Sequence, residues 1–488
     1  MAYGQAVCMT GYSMLQIKAK CGSGQVKNPQ RTGDMSSAQS QARWNQLLSR
    51  KRLGQPDAAA EDQTRTDFQR DFDRIIFSSA FRRLQDKTQV FPLARNDYVR
   101  TRLTHTLEVA SVGRTLGTRA GVHVIQRHAI QQAQAADFGA IVAAACLAHD
   151  IGNPPFGHSG EDAIRDWFHR SPTSQAALAP LAMAEREDLL NFEGNAQGFR
   201  VLTRLQNAAN PGGLQLTCAT LGAFSKYPCG LAQPRPSGTA WRKFGFFQAD
   251  RSQFAELAEH LGLRAVAVDV WQRHPLVYLV EAADDICYCI VDIEDAYRLR
   301  QLDYREAVEL LTPLVEDTDR QTRLGSITTP KERIEYLRAK AIGRLIDQTV
   351  EAFLTHEAAI VNGDFDRELL TCIPHAQALA LLRQRAAEQV YIAPPVIEVG
   401  AAGFHVLAAL LETFVAAVDA VAAHGFAASP RQQMLLRLVP EQFVGTGHQP
   451  IANPYQRLLG ITDFVSGMTD SYAIELYRKL HGIAVVGA

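Results

Sequence analysis

The chain has 488 residues, of which 47% are apolar, so it is long enough to bury a large core. Its 50 Lys and Arg residues nearly balance its 51 Asp and Glu residues, which leaves no global attraction to nucleic acid or to an anionic membrane. An aromatic content of 8% argues against a disordered or fibrous chain. The 8 cysteines form no CxxC pair, which argues against a structural zinc site or a disulfide framework.

Residues 1–40 are rich in Gly, Ser, Gln and Lys without a helical or strand period, so we predict a flexible N-terminal tail. The N-terminus lacks the apolar run and the cleavage site of a secretory signal. No apolar stretch reaches the roughly 18 residues of a membrane span. The longest, Phe138–Ala148, fits a buried helix. We therefore expect a cytoplasmic protein that does not engage a membrane.

Helical patterns dominate the chain from Trp44 onward. Helices are predicted over 102–117, 136–149, 275–299, 330–357 and 406–422, with a last helical block over 453–480. Strand patterns are few, at 266–271 and 89–93, and the stretch 207–247, rich in Gly and Pro, indicates a long loop with short helices. We predict one all-α fold over residues 41–488, with loop insertions and a few short strands at most.

A titratable pair, His149-Asp150, ends the predicted helix 136–149, which is apolar on all sides. Such a pair must find partners, because burying an unpaired polar group costs several kcal/mol. His105 lies on a second predicted helix, and Arg102, three residues before it, lies on the same face. Both segments are therefore candidates for one polar site.

A third predicted helix carries Asp284, Tyr288 and Asp292 at four-residue spacing, so that the three side chains span about 80° of one face. The other positions of this helix are mostly apolar, which indicates that the polar stripe faces inward onto something polar. Taken alone, such a stripe is more often a solvated or salt-bridged face. In the same way, a buried histidine is usually a hydrogen-bonded core residue.

His105, His149, Asp150 and Asp284 together would form a mixed set of nitrogen and oxygen ligands. This set suits a divalent metal ion such as Mn, Fe or Co, with Mg as a further candidate, and the identity of the ion stays open. The chain order His, His-Asp, Asp, with a turn rich in Gly and Pro directly after the His-Asp pair, is hard to reach by chance. The sequence therefore predicts a metal site.

This order and its flanking residues resemble the HD-domain phosphohydrolases, and among them the deoxyguanosine triphosphate triphosphohydrolase family. The resemblance covers roughly residues 44–482. The matching stretches are FRRLQDKTQV at 81–90, RTRLTHT at 100–106, HDIGNPPFGHSGE at 149–161, FEGNAQ at 192–197, KYP at 226–228, EAADDICY at 281–288 and SGMTD at 466–470. The resemblance implies an HD core at about 100–300 and a C-terminal helical part at about 330–482.

The resemblance implies metal-dependent hydrolysis of a deoxynucleoside triphosphate (dNTP), dGTP or a similar one, at the α-phosphate, giving the deoxynucleoside and inorganic triphosphate. It also implies a catalytic pair, His158 and Glu161. The imidazole would donate or relay a proton to the leaving 5′-oxygen. The carboxylate, three residues later on the chain, would orient the ring and hold its protonated form.

Five substrate contacts are assigned on the same basis. Arg102 matches a position that contacts the α-phosphate, Tyr288 one that crowds a ribose 2′-hydroxyl, and Asp292 one that accepts from the 3′-hydroxyl. Lys226 and Arg338 are candidates for binding the β- and γ-phosphates. For these last two, a solvated surface cation is an equally weighted alternative.

Two other functions stay open. One is a different HD phosphohydrolase, such as a nucleotide phosphodiesterase, although the acidic stretch and the GYP turn of two such enzyme groups are missing after the His-Asp pair. The other is a catalytically weak nucleotide sensor or a binder of single-stranded nucleic acid, for which segments 43–52 and 95–102 offer local positive charge. We also expect a homo-oligomer, with a dNTP activator or single-stranded nucleic acid as candidate partners. No motif reveals a base preference.

Overall fold

The structure is a computed structural model that describes residues 37–56, 64–89, 100–231, 236–315 and 323–483. It is 70% helical. Within the described residues the strands form one two-stranded antiparallel sheet, β1 (Ala265–Ala267) and β2 (Val270–Trp271). The predicted all-α class is therefore confirmed, and the strand pattern at 266–271 is a short hairpin.

The α-helices of the described residues are numbered here in chain order. They are α1 (Ser37–Leu47), α2 (Asp67–Ile76), α3 (Ser79–Arg83), α4 (Arg102–His128), α5 (Ala135–Ala148), α6 (Gly157–Arg170), α7 (Pro172–Leu178), α8 (Met183–Leu190), α9 (Gly194–Arg200), α10 (Cys218–Phe224), α11 (Arg251–His260), α12 (Val277–Arg298), α13 (Tyr304–Leu311), α14 (Pro330–Asn362), α15 (Ala376–Gln389), α16 (Pro394–His424), α17 (Pro430–Arg437), α18 (Glu441–Val444), α19 (Pro454–Ser466) and α20 (Asp470–Leu480). Short 3₁₀ turns lie at Leu84–Asp86, Thr239–Trp241, Gln248–Asp250, Thr312–Leu314, Leu369–Thr371, Gly425–Ala427 and Thr446–His448, and a π turn lies at Val201–Leu205.

Helix boundaries differ from the prediction in four places. Helix α14 continues past the predicted end at residue 357 as far as Asn362. Helix α4 continues past the expected end at Gly117 as far as His128. Helix α16 begins at Pro394, 12 residues before the predicted 406, because proline fits the first turn of a helix, where its missing N–H has no partner to lose. The last predicted block is two helices, α19 and α20, and the second starts with a Thr469 cap.

Several sequence predictions fall wholly or partly outside the described residues. These are the tail up to residue 36, the strand residues 90–93 and the basic residues 95–99. Helix α1 begins at Ser37, so the predicted tail boundary at residue 40 falls inside a helix. The division into an HD core and a C-terminal helical part stays a prediction.

Helices α4 and α5 cross in close contact because glycines line the crossing. Gly113, Gly117 and Gly121 stand four residues apart on α4, which puts them on one face. A Cβ added at Gly117 would lie 2.6 Å from the backbone oxygen of Phe138 on α5, and one at Gly113 would lie 2.5 Å from Cys146 Sγ. Gly117, where the sequence predicted the end of the helix, is therefore a packing residue, and α4 continues beyond it.

The helices pack around two apolar cores. The first core contains Leu116 of α4, Ile141 of α5 and Ile286 of α12, all fully buried. The second core is built on α6, α16 and α19. The segment after α5 passes from one to the other, with Ile151 in the first core and Phe156 in the second. The turn that follows His149-Asp150 thus lies between the two cores.

Helix α16 is long and apolar enough to span a membrane by length and composition alone, which a search for uninterrupted apolar runs missed. In the structure its buried side chains, including Leu410 and Phe414, belong to the second core. Its Glu412 accepts hydrogen bonds from Trp167 Nε1 at 3.0 Å and from Ser171 Oγ at 2.7 Å. These are the contacts of a core helix in a folded domain.

Replacing Gly117 by Ala should destabilise the fold, because the new methyl group would contact the α5 backbone, which cannot rotate away. We expect a loss of about 1–3 kcal/mol in the free energy of unfolding. Gly343→Ala on α14 is the matched control, since nothing lies within 4 Å of its added Cβ. The control should be neutral or stabilising by up to about 1 kcal/mol. Thermal unfolding followed by circular dichroism measures both, and equal melting temperatures would contradict the close crossing.

Candidate active site

Three helices bring the four predicted ligands together. His105 lies near the start of α4, His149 caps the end of α5 and precedes Asp150, and Asp284 lies on α12. One potential ligand atom from each of His105, His149 and Asp150 lies within 4.8 Å of the others. The fourth, Asp284 Oδ1, lies 3.0 Å from His105 Nε2 and 3.5 Å from His149 Nε2.

The hydrogen bonding of His149 fits a metal ligand. Its Nδ1 lies 2.7 Å from the carbonyl oxygen of Cys146. A carbonyl only accepts, so Nδ1 carries a proton, and Nε2, which faces the two carboxylates, is the ring atom that could bind a cation. A backbone bond of this kind is the usual way of fixing a ligating imidazole. The donor set and the orientation of this ring therefore fit a divalent cation.

The charges of the cluster also favour a cation. Burial lowers the pKa of His149, but the carboxylates of Asp150 and Asp284 outweigh burial and raise that pKa to about 9. Burial likewise opposes ionisation of Asp284, yet His149 and His105 hold its pKa well below the usual range. The pocket thus stabilises positive charge next to two ionised carboxylates.

Arg102 orients Asp150, one of the four candidate ligands. Its Nη1 donates to Asp150 Oδ2 at 2.7 Å, and the whole side chain is buried. Its Nε is buried without a hydrogen-bond partner among the described residues. A Cβ at Gly157 would come within 2.6 Å of Arg102 Nη2, and Gly157 has a φ of +58°. Glycine therefore allows both the left-handed backbone and the close approach of Arg102 at this position. The predicted α-phosphate contact therefore has a second task in the protein.

The predicted catalytic pair forms on the first turns of α6. His158 Nδ1 lies 3.0 Å from Glu161 Oε2. The histidine side chain is 76% exposed, whereas that of Glu161 is 3% exposed. An exposed imidazole held by a buried carboxylate is suited to exchanging a proton with a bound molecule.

Glu161 is ionised in spite of its burial. Burial raises its pKa, but the hydrogen bond and charge of His158 outweigh it, and with Lys243 and Arg165 they lower the pKa of Glu161 to about 2. The other carboxylate oxygen, Oε1, accepts from Gly194 N at 2.8 Å. A Cβ at Gly194 would lie 2.6 Å from that oxygen, so the FEGN turn can hold Glu161 only with glycine at this position.

Tyr288 and Asp292 of α12 share a neighbour that the sequence analysis did not single out. Tyr391 stacks on Tyr288 with 5.5 Å between ring centroids and donates its hydroxyl to Asp292 Oδ2 at 2.7 Å. Burial raises the pKa of Asp292 to about 8. Tyr391 is distant in sequence and carries no motif, so only the folded chain reveals it.

Lys226 lies in a cluster of cations around Tyr227. Its Nζ lies 3.2 Å from Glu281 Oε1, and Arg273 Nη1 lies 3.0 Å from Glu281 Oε2. Arg242, which is half exposed, donates to the Tyr227 hydroxyl at 3.3 Å. Neither Arg242 nor Arg273 stands in a motif that marks it in the sequence. Arg242 Nη1 also lies 3.9 Å from Glu368 Oε1, so the three cations of the cluster face two carboxylates, which leaves one positive charge for an anion.

Arg338 lies apart from this cluster. Its guanidinium is ion-paired with Glu294, which also binds Arg100 and Arg298. Glu294 lies ten residues after Asp284 on α12, about 15 Å along the helix axis. The structure does not bring Arg338 together with the four candidate ligands, and its role in phosphate binding stays a prediction.

Comparisons with known proteins agree with this geometry. An HD domain model matches residues 102–189, and a phosphohydrolase-associated domain model matches 374–479. A deoxyguanosinetriphosphate triphosphohydrolase-like protein of Synechocystis is 46% identical over 455 residues, covering 91% of this chain and 100% of that protein. One of Pseudomonas aeruginosa is 41% identical, covering 90% and 98%. A deoxyguanosinetriphosphate triphosphohydrolase of Klebsiella pneumoniae is 31% identical, covering 85% and 94%. The chain therefore belongs to the deoxyguanosinetriphosphate triphosphohydrolase family of HD-domain phosphohydrolases.

Proposed function

We propose that this protein hydrolyses dNTPs at the α-phosphate and releases the deoxynucleoside and inorganic triphosphate. The observation that carries the proposal is the convergence of His105, His149, Asp150 and Asp284, followed one turn later by the His158–Glu161 pair. Family membership makes the protein a phosphohydrolase, and the names of its relatives supply the candidate substrate.

The four converging side chains would hold the metal. When bound, a divalent ion supplies Lewis-acid polarisation of a phosphate oxygen. Arg102 would then fix Asp150 through Nη1 and offer its unpartnered Nε to an α-phosphate oxygen. A charge-assisted bond of that kind is stronger than a neutral one, particularly at a buried guanidinium.

His158 would protonate the leaving group. A water molecule adds to the α-phosphorus, the bond to the 5′-oxygen breaks, and that oxygen takes a proton from His158. The proton that the added water loses passes to solvent, and His158 takes up a proton from solvent before the next turnover. Because His158 Nδ1 faces Glu161, the proton is transferred from Nε2. The ionised Glu161 stabilises the imidazolium before transfer and fixes the ring orientation throughout.

The remaining substrate groups have matching surfaces. Tyr288, backed by the Tyr391 ring, would pack against C2′ of the sugar, and Asp292 would contact the 3′-hydroxyl. Lys226 would bind the terminal phosphates, and the cationic surplus around Tyr227 makes Arg242 and Arg273 additional candidates. Base preference, oligomeric state, a dNTP activator and nucleic-acid contact stay predictions.

Product analysis tests the reaction. Incubation with each of the four dNTPs plus Mn or Mg should give deoxynucleoside and inorganic triphosphate, resolved by ion-exchange chromatography. His158→Ala is the matched control and should lower kcat by about 10²- to 10⁴-fold with unchanged metal content, because it removes only the proton donor. Pyrophosphate or a nucleoside monophosphate as product would overturn the proposal.

Measured metal content should distinguish the roles of two adjacent carboxylates on α12, Asp284 and Asp285. Asp284→Ala and Asp150→Ala should abolish stoichiometric Mn binding, measured by elemental analysis after dialysis, because each removes one of four ligands. Asp285→Asn should retain it, because Asp285 is ion-paired with Arg383 at 2.9 Å. Full metal content in the Asp150 variant would show that the ligand set is wrong.

Sugar discrimination should depend on the Tyr288 ring. A 2′-hydroxyl packed against the ring would clash and lose its hydrogen bonds, which favours deoxynucleotides by roughly ten- to a hundredfold in kcat/KM. Tyr288→Ala should reduce the ratio of kcat/KM between dGTP and GTP without changing metal content. Tyr391→Phe keeps the stacked ring and should keep the ratio. If Tyr288→Ala discriminates as well as the wild type, another residue reads the sugar.

A further inference from the structure

Two motifs of the sequence have no task in the proposed reaction. One is the stretch 81–90, which contains Lys87, and the other is the stretch 466–470, which ends at Asp470. They lie nearly 400 residues apart, yet their side chains meet at the turn between α5 and α6. This turn, residues 151–157, separates the candidate ligand Asp150 from His158.

Lys87 binds the turn through its ammonium group. The side chain is buried, with 3% exposure. Its Nζ donates to the carbonyl of Asn153 at 2.5 Å and to that of Ser466 at 3.3 Å. The carbonyl of Lys87 accepts from the backbone N–H of Arg102 at 3.0 Å, which is the first residue of α4. One residue therefore connects the turn to the start of the helix that carries His105.

Asp470 binds the other end of the turn. It is 1% exposed, and Oδ1 accepts from the backbone N–H of Phe156 at 3.0 Å. Oδ2 accepts from the backbone N–H of Thr88, also at 3.0 Å. Both oxygens of one buried carboxylate are thus used on backbone groups of separate segments.

Local backbone hydrogen bonds hold only part of the turn, from Asn153 N to Asp150 O and from Gly157 N to Pro154 O, and the outside contacts hold the rest. Pro154 and Pro155 have no N–H to donate. Phe156 has a left-handed φ of +63°, a conformation that a bulky residue keeps only when its surroundings impose it. Helix α6 starts at the next residue, so the position of the Phe156 backbone determines the position of the first turn of α6, which carries His158.

We propose that Lys87 and Asp470 are positioning residues that fix the turn 151–157 and thereby hold the His158–Glu161 pair in register with α4. Their hydrogen bonds described above all go to backbone groups, so they act through the backbone of the turn. The proposal rests on the proposed function for its effect on turnover, whereas its effect on the turn is independent of any substrate.

The test compares Asp470→Asn with a control variant that loses one buried hydrogen bond away from the turn. Asparagine offers one acceptor oxygen for two backbone N–H groups, so one of them loses its partner. We expect kcat with dGTP and Mn to fall about ten- to a hundredfold, because a misplacement of about 1 Å suffices for that, with KM within about threefold and unchanged metal content. Amide hydrogen exchange in peptides covering 151–161 should accelerate.

Tyr455→Phe on α19 is the control. It removes a buried hydrogen bond between the C-terminal helices and Asp188, away from the turn. It should lower the melting temperature while leaving kcat and exchange at 151–161 at wild-type values. Lys87→Met, which keeps the aliphatic stem, should reproduce the Asp470→Asn result and serves if the latter does not fold.

The outcomes are separable. Wild-type exchange at 151–161 in both variants, or a kcat loss no greater than that of Tyr455→Phe, would overturn the positioning role. If the wild-type protein releases no triphosphate from any dNTP, the proposed function fails. The exchange measurement then still decides whether the two residues hold the turn.

Discussion

Helices α4 and α5 cross with almost no side-chain volume between them, and the rest of the site depends on that closeness. Gly113, Gly117 and Gly121 allow the approach, because a Cβ at any of the three would lie within 3 Å of an atom of α5. His105 projects from the start of α4 and His149 from the end of α5, so the crossing brings their rings to 5.5 Å between centroids. Helix α12 then packs against both and adds Asp284 to the two imidazoles. A separation increased by one methyl group would move the candidate ligands on α4 and α5 apart.

Charge is divided between the two ends of the proposed substrate site. At one end, buried carboxylates face imidazoles and favour a cation, as the raised pKa of His149 indicates. At the other end, Lys226 and Arg273 share Glu281, and Arg242 adds a further positive charge. A triphosphate needs cationic neutralisation along its whole length, whereas the sugar needs an apolar surface with a few polar groups. The stacked tyrosines at 288 and 391 provide such a surface next to Asp292.

The sequence predicted what local pattern or motif encodes, and the fold supplied the rest. The apolar helix ending in His149-Asp150 and the inward stripe of α12 follow from helical periodicity, and the catalytic pair follows from the resemblance. Tyr391 was missed because it reaches Asp292 across 99 residues of chain, and no periodicity records such a contact. The end of α4 was misplaced because a glycine signals both a helix stop and a close helix crossing. Only the position of the neighbouring helix separates the two meanings. The phosphate role of Arg338 stays a prediction, and in the structure its guanidinium is paired with Glu294.

The turn after His149-Asp150 shows why the C-terminal helices are inseparable from the catalytic part. It leaves the first core at Ile151 and enters the second at Phe156, so its geometry depends on how the two cores sit together. Two prolines remove backbone donors from the turn. The left-handed φ of Phe156 is strained and persists only while the surrounding residues hold it. The missing interactions come from Lys87, between α3 and α4, and from Asp470 at the start of α20. Lys87 also donates to the carbonyl of Ser466, and Asp470 accepts from the N–H of Thr88. A displacement of the C-terminal helices would therefore also displace the start of α6. The chain thus sets the position of its proposed proton donor through contacts between segments that are far apart in sequence.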